Sequence, residues 1–357
     1  MLRVAVDRRS LADGSRHRGI GTYLSALLDG LATRPDVDVV TLATGSSDGS
    51  GRFGQEAAWW RHELTLPRAI ARSGADVFHS PGQHPPRRST LPWVQTLFDV
   101  IPLVRNDPSM RTYRARWRRL GPRYRQAAAV IAISRSAADD GITALGLDQS
   151  RVHVVPCGVA PSFRPAAVRP VPDVPYLLYV GAWGPHKGLA EATAVIAGLA
   201  DAGYPHHLLV AGAHDAWSRG QVADVVARSA RPERVDAVGW VDDLVPVYQG
   251  ASALVSTSRA EGFGLPALEA MACGTPVVAF DNTAQPEVIG AGGVLVTDGD
   301  VGAMVRALRP LLDDERVWAE HAEAAVRRAG AFDWARAVDA HVEIYRRVAE
   351  SPAADRR

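Results

Sequence analysis

A chain of 357 residues exceeds one ordinary domain and suits two of roughly 150–180 residues. Hydrophobic residues make up 47% and charged residues 22%, the balance of a soluble globular protein, and no apolar run reaches the roughly 18 residues of a membrane-spanning helix. The net charge of +1 hides a division: residues 1–165 carry 23 basic and 14 acidic side chains, and the remaining 192 carry 17 and 25. A basic half and an acidic half support two domains, and the basic half suits an anionic acceptor, a phosphate-bearing lipid surface or nucleic acid. The two cysteines, Cys157 and Cys273, fall in different halves and outline no disulfide framework. The N-terminus, MLRVAVDRR, enters a strand pattern without a secretory apolar segment, so a reducing cytoplasm is the expected location.

In the first half, strands are expected at LRVAV (2–6), DVVTLAT (38–44), DVFH (76–79), WVQTLF (93–98), AVIAI (129–133) and VHVV (152–155). Helix-period segments lie between several of them, among them Ile20–Ala32 and Met110–Ala128. The second half repeats the habit with YLLYV (176–180), HLLVAG (207–212), ASALVS (251–256), PVVAF (276–280) and GVLV (293–296). Strands alternating with helices imply parallel sheets covered on both faces, hence an α/β class with two doubly wound, Rossmann-like domains. Between them Ala160–Pro175 holds five prolines and is expected to be a semi-rigid linker. An amphipathic helix, Trp334–Ala349, closes the chain before a polar tail, SPAADRR, that is expected to be disordered.

Arg111–Arg125 holds seven arginines interleaved with aromatic residues. Met110, Tyr113, Trp117, Leu120 and Tyr124 recur at helical spacing, so the aromatic residues read as a core stripe and the arginines as a solvated face. Nucleic acid is therefore not an expected partner, and contact with anionic lipid at the inner membrane face is a secondary use.

Forty residues are basic and only Lys187 is a lysine. It follows a strand in YVGAWGPHKGL and precedes a helix, the setting in which a lysine meets a diphosphate as a point charge. In HRGIGTYL (17–24), Gly19 and Gly21 form half of a dinucleotide fingerprint, but Leu24 occupies the place of its third glycine, so hydride transfer is poorly supported. EGFGLPALEA (261–270) is the most informative stretch. Pro266 suits the first helical position, the helix should run Ala267–Cys273, and Gly274 should end it. Gly262 and Gly264 let backbone approach a ligand, and the N–H groups of Phe263, Gly264 and Leu265 sit at a helix head, an anion-binding corner. Glu269 lies one turn inside and suits a vicinal diol such as ribose; Glu261 precedes the turn, where sugar hydroxyls would lie. The plain alternative is a capping glutamate beside a tight turn. Asp242-Asp243 and Asp298-Gly299-Asp300 read as loop caps, no His or Cys spacing outlines zinc, and no metal is expected. His17, His79 and His84 are expected to be structural or surface residues.

EGFGLPALEAMACGTPVV resembles the donor-site signature of retaining glycosyltransferases of family 4, the group 1 type with a GT-B fold, including its E-x7-E pair, Glu261 and Glu269. GIGTYL, DVFHSP, AAVIAISRSAADD, VHVVPCGV, YVGAWGPHKGL and FDWARAVDAHVEIYRR match further segments, so the resemblance spans nearly the whole chain. It implies an acceptor-binding domain at 1–165, a nucleotide-sugar domain at 172–332, a cleft between them and a helix at 333–350 returning to the first. By the same resemblance Lys187 would stabilise the leaving diphosphate, amides of Phe263–Leu265 would hold phosphate and sugar hydroxyls, Glu269 would bind ribose and Glu261 would contact the transferred sugar. Gly19 and Gly21 would approach the diphosphate, and Gly239 to Val241 would lie by the base. No cofactor is implied; the donor is a nucleotide sugar, with GDP-mannose favoured by the form VG-x-x-x-P-x-K and by IPL after Phe98-Asp99, and UDP-sugars open. The acceptor would be a glycan, a lipid-linked or a small-molecule alcohol. Two positions depart from the family: Ala182 where an arginine is frequent, and Phe98-Asp99 where His-Asp is frequent, which leaves Asp99 as the acid of that pair. Retention is explained in the family by a front-face reaction in which the leaving phosphate oxygen takes the acceptor proton. A nucleotide-sugar epimerase shares the fold, as does a phosphorylase, for which one lysine leaves little room; a non-catalytic sugar-binding or scaffold subunit is the reading from another class.

Overall fold

The computed structural model describes residues 1–12, 14–43, 52–105, 108–181, 184–213 and 215–351. The expected strand end at Thr44, the departure at Ala182 and the tail beyond Ser351 lie outside the described residues. The chain divides into two compact units, Met1–Gly158 with Asp333–Arg357, and Val159–Phe332.

In the first unit six parallel strands, β1 (Leu2–Asp7), β2 (Val37–Leu42), β3 (Val77–Ser80), β4 (Trp93–Leu97), β5 (Ala129–Ala132) and β6 (Val152–Val154), lie in the order β2-β1-β3-β4-β5-β6. β3, β4 and β5 are buried along their whole length, so they do not alternate between core and solvent, and the polar His79, Ser80, Gln95 and Thr96 are buried with them. The helices are α1 (Gly19–Ala32), α2 (Arg52–Arg72), α3 (Ile101–Val104), α4 (Arg111–Tyr124) and α5 (Arg135–Leu145). Ser134 caps α5 by accepting the Ala137 N–H at 2.9 Å, and Gly146 ends it at φ 65°. In α4 the expected stripe is buried at Met110, Trp117, Leu120 and Tyr124, but Tyr113, in the first turn, is 57% exposed.

The second unit holds β7 (Tyr176–Val180), β8 (His207–Ala211), β9 (Val235–Gly239), β10 (Ala253–Ser256), β11 (Val277–Asp281) and β12 (Val294–Thr297), all parallel, in the order β12-β11-β10-β7-β8-β9. Its helices are α6 (Leu189–Asp201), α7 (Ala216–Ala227), α8 (Val245–Gly250), α9 (Leu265–Ala272), α10 (Gln285–Ile289), α11 (Val301–Asp313) and α12 (Glu315–Ala329). Leu177, Leu199, Leu208 and Leu308 are fully buried between sheet and helices, each contributing about 1.5–3 kcal/mol. β9 has no counterpart among the expected strands. It is an edge strand with exposed Asp236, Ala237 and Val238, and its register with β8 is irregular at Val210/Ala211, so it carries no apolar run.

Ala160–Pro175 has no regular element, but it is not a free linker. Phe163 meets the Tyr248 ring edge-on at 5.9 Å, Gln249 donates to Arg164 O at 2.8 Å, and the Arg169 guanidinium lies 3.7 Å from the Trp318 ring centre. Planar and aromatic side chains among the prolines find partners, so the segment belongs to the second unit and the division falls at Gly158/Val159.

The last helix, α13 (Trp334–Glu350), belongs to the first unit and packs on α1. Gly30 makes room: a Cβ there would lie 2.5 Å from Val338 Cγ2. Beneath the contact runs a buried chain of hydrogen bonds. His341 Nδ1 must donate to Ala337 O (2.7 Å), so its Nε2 accepts from Tyr23 (2.6 Å); Thr96 then donates to Tyr23 (3.1 Å), His79 Nε2 to Thr96 (2.8 Å), and Tyr345 to His79 Nδ1 (2.7 Å). One proton order satisfies every member with both histidines neutral, and burial holds both pKa values below the ordinary imidazole range, His341 at about 4. Phe98 packs edge-on against Tyr23 at 5.1 Å, so an aromatic contact occupies the position at which the resemblance expects histidine.

Candidate functional site

In the second unit β7 lies between β8 and β10, and the order of strand addition reverses there. Doubly wound sheets bind ligands beyond the carboxyl ends of the strands at such a reversal. Lys187 follows β7 and Glu261 follows β10, so the topology alone brings together two residues 74 positions apart.

The loop after β7 turns at Gly188, whose φ is 70° and whose Cβ, if present, would lie 2.0 Å from Thr257 O. Only glycine fits both the left-handed backbone and that approach. Thr257 Oγ1 donates to Gly188 O at 2.7 Å, Arg259 N to His186 O at 2.8 Å, and Tyr179 to Lys187 O at 3.1 Å. Thus clamped, Lys187 Nζ reaches Glu261 Oε2 at 2.7 Å, with the two side chains 23% and 13% exposed. Burial pushes the Glu261 carboxyl up, but Lys187, a hydrogen bond from Ser258 and the nearby His186 outweigh it and hold the group below its ordinary value.

Glu261 is held from a second side. Its N–H donates to Thr283 Oγ1 at 2.9 Å, and Thr283 is the one non-glycine residue with positive φ, 44°, among the described residues. A β-branched residue in that region is strained, and such strain persists where surrounding contacts over-determine it. Here Thr283 donates to Asn282 Oδ1 at 3.1 Å, while Asn282 and Gln285 donate to Ser258 O at 3.0 and 3.1 Å. No sequence signal marked Thr283; it lies in an ordinary-looking turn after β11.

Helix α9 begins two residues before the expected Ala267, with Gly264 as N-cap at φ 98° and Pro266 in its second position rather than its first. A Cβ on Gly264 would meet nothing, so the glycine is required by conformation rather than by space. Phe263 turns its ring inward onto Phe332, 5.7 Å away. The N–H groups of Phe263, Gly264 and Leu265 donate to no protein acceptor among the described residues, and the helix dipole lies behind them. Glu269, one turn in, accepts from the Tyr248 hydroxyl at 2.8 Å. Burial raises its carboxyl to about 7 against the pull of that hydrogen bond. Tyr248, fully buried, was not anticipated.

Gly239 ends β9 at φ 75°, its carbonyl accepting the Gly212 N–H at 2.7 Å, and Val241 follows at the same sheet end. Asp242 accepts from Trp240 Nε1, Asp243 from Val245 N and Asp300 from Ala303 N, all local contacts, while Asp298 accepts from Asn282, at the end of the neighbouring strand β11. Among the described residues no group of three or more His, Cys, Asp or Glu is placed to hold a metal ion. The other anticipated residues, Gly19, Gly21 and Asp99, belong to the first unit. Gly21 answers a local demand, since a Cβ there would fall 2.5 Å from the Arg16 backbone. Asp99 follows β4 and accepts the Ile101 N–H at 3.1 Å, at the head of α3.

Two family profiles match the chain: Glycosyltransferase Family 4 over residues 17–163 and Glycosyl transferases group 1 over residues 174–314. An O-antigen chain mannosyltransferase B of Escherichia coli is 34% identical over 178 residues, 48% of this chain and 45% of that one. A D-inositol 3-phosphate glycosyltransferase of Kineococcus radiotolerans is 33% identical over 249 residues, 59% and 55% of the two. The chain thus spans about half the length of these relatives. Among solved structures, sucrose-phosphate synthase from Thermosynechococcus elongatus superposes with a TM-score of 0.77 at 21% identity, over 98% of this chain and 99% of that one. Anabaena Alr3699/HepE in complex with UDP and glucose gives 0.73 at 17%, over 96% and 99%. These structures share the fold.

Proposed function

Because the chain belongs to the family 4 glycosyltransferases of group 1, we propose that it is a retaining hexosyltransferase that moves a sugar from a nucleotide diphosphate to an alcohol acceptor. Mannose from GDP-mannose is the favoured donor, in line with the mannosyltransferase relative; a UDP-sugar is the alternative, in line with the UDP-bound structure. The acceptor is a glycan, a lipid-linked or a small-molecule alcohol. The second unit holds the donor and the first the acceptor.

The observation that carries this reading is the head of α9, where three amides without protein acceptors among the described residues and the Lys187 ammonium lie at the strand reversal. Together they suit a diphosphate, because both the dipole and the lysine oppose its charge as the sugar–phosphate bond breaks. Glu269 takes the ribose diol and Glu261 the sugar hydroxyls. Gly239 and Val241 flank the base. Donor binding gives Lys187 a second anion, so its bond to Glu261 is shared or exchanged, freeing a carboxylate oxygen for the sugar. Asp99, anchored by the Ile101 N–H at the head of α3, is the acid assigned to the acceptor. The acceptor hydroxyl then bonds to the anomeric carbon on the face the phosphate leaves, and its proton passes to the departing phosphate oxygen. No side-chain nucleophile is needed, and positioning supplies much of the rate.

The test is a calorimetric screen of GDP-mannose, UDP-glucose and related nucleotide sugars, then acceptor trials with the tightest donor and determination of the product's anomeric configuration by NMR. Donor binding and a retained configuration are expected. Failure of every nucleotide sugar to bind, or an inverted product, would overturn the proposal.

A further inference from the structure

The first unit has a strand reversal of its own, between β1 and β3. The segments leaving these strands touch: a Cβ on Gly82, after β3, would lie 3.2 Å from Ser10 Oγ, after β1. Gln95 of β4, fully buried, donates to Gly82 O at 2.7 Å and fixes the second segment. Three basic groups converge on this edge. Arg9 follows β1, His84 follows β3, and Arg116 of α4 donates to His84 Nε2.

The two carboxylates nearby are committed elsewhere. Asp7 pairs with His62 at 3.3 Å and accepts the Arg9 backbone N–H at 3.0 Å. Glu63 holds Arg123 at 3.0 Å and Arg87 at 4.0 Å. Neither the Arg9 nor the Arg116 guanidinium forms an ion pair among the described residues, and Arg9 Nε is buried without an acceptor among them. Burial, then Arg9 and Arg116, hold the His84 imidazole well below its ordinary pKa, and burial and Arg9 lower Arg116. Like charges gathered beside a neutral imidazole repel one another at this edge, and an anion reverses the sign of that interaction.

We propose that Arg9 and Arg116, together with His84, form a binding site for a phosphate ester at the β1/β3 edge, and that the acceptor of the proposed transfer carries that phosphate. The second half rests on the glycosyl-transfer reading; the site itself does not. Guanidinium forks match phosphate oxygens through paired, charge-assisted hydrogen bonds. A soluble sugar phosphate and a lipid phosphate headgroup present the same oxygens.

The experiment is calorimetric titration of the full chain with inorganic phosphate at constant ionic strength, in a Lys187→Met background that silences the proposed donor site. Phosphate binding should persist there and weaken at least about tenfold on adding Arg9→Gln or Arg116→Gln, with partial recovery in Arg9→Lys. Arg116 lies outside the buried stripe of α4, with only its guanidinium end partly covered at His84, so Arg116→Gln decides the matter even where Arg9→Gln does not fold. Unchanged phosphate affinity in Arg116→Gln overturns the site. Competition by glucose 6-phosphate, or by phosphatidylcholine vesicles containing phosphatidic acid, separates a soluble from a lipid source; competition by neither overturns the phosphate-ester assignment. Nucleotide-sugar binding measured on Arg116→Gln should be unchanged. Absence of that binding in the wild type would sink the glycosyl-transfer reading while leaving the anion site standing.

Discussion

Replacing Lys187 with methionine removes the cation bonded to Glu261 and keeps the length of the side chain. Breaking a buried pair by deleting one partner costs about 3–5 kcal/mol, and exposed pairs contribute about 0–1. With the two side chains 23% and 13% exposed, we expect a loss of about 2–3 kcal/mol. For a unit the size of Val159–Phe332 this lowers its melting temperature by about 5–10 °C. If Lys187 also opposes charge on the leaving diphosphate, kcat falls by a further factor of about 10²–10³, as for loss of one preorganised donor. The two effects separate in the double variant Lys187→Met/Glu261→Gln. Its neutral glutamine no longer needs a cation, so stability should return, whereas turnover should not. Calorimetric melting and steady-state transfer with the best donor give both numbers. Recovery of turnover along with stability would show that the lysine serves only the fold, and would refute its assignment to the diphosphate.

The Glu269 carboxyl, raised to about 7, ionises as pH rises through neutrality. A carboxylate accepts hydrogen bonds more strongly than its neutral acid, so donor affinity should rise about three- to tenfold from pH 6 to pH 8; a flat calorimetric profile would argue against the ribose role. Thr283→Val leaves the Glu261 N–H without its acceptor and should cost about 1–3 kcal/mol and lower turnover, while Thr283→Ser retains both; urea midpoints and rates that do not distinguish valine from serine would remove Thr283 from the site. In the first unit His341 is depressed to about 4, so the stability it contributes is present above its ordinary 6.5 and is lost as pH falls through that window. The loss approaches about 3 kcal/mol near pH 4, and denaturant unfolding of His341→Gln, less stable at pH 7, should show a weaker acid dependence.

The alternation of strand and helix was legible because strands buried on both faces are largely apolar, as in AVIA; VFHS is the exception that needs partners, since Thr96 and Tyr345 satisfy both ring nitrogens of its buried His79. β9 escaped because an edge strand has one paired side and no such constraint. The glycine signals were legible in kind but not always in cause. Gly264 answers a left-handed backbone, Gly188 the carbonyl of Thr257, and Gly21 the backbone of Arg16. The aromatic stripe of α4 was readable from its period, yet Tyr113 at the first turn is exposed, because periodicity gives a face and not the extent of what covers it.

For the site, composition singled out Lys187, and the local pattern singled out Glu261, the amides of Phe263–Leu265 and Glu269. These are short-range properties: a lone lysine among arginines, a glycine turn, a helix head and an acid one turn beyond. That Lys187 and Glu261 are bonded, that Thr283 holds Glu261 from a strained backbone, and that Tyr248 bonds Glu269 were decided only by the tertiary structure. Each of those contacts joins segments at least 21 positions apart. Hydrogen bonding depends on distance in space, and it is the strand order, with β10 returning beside β7, that sets those distances.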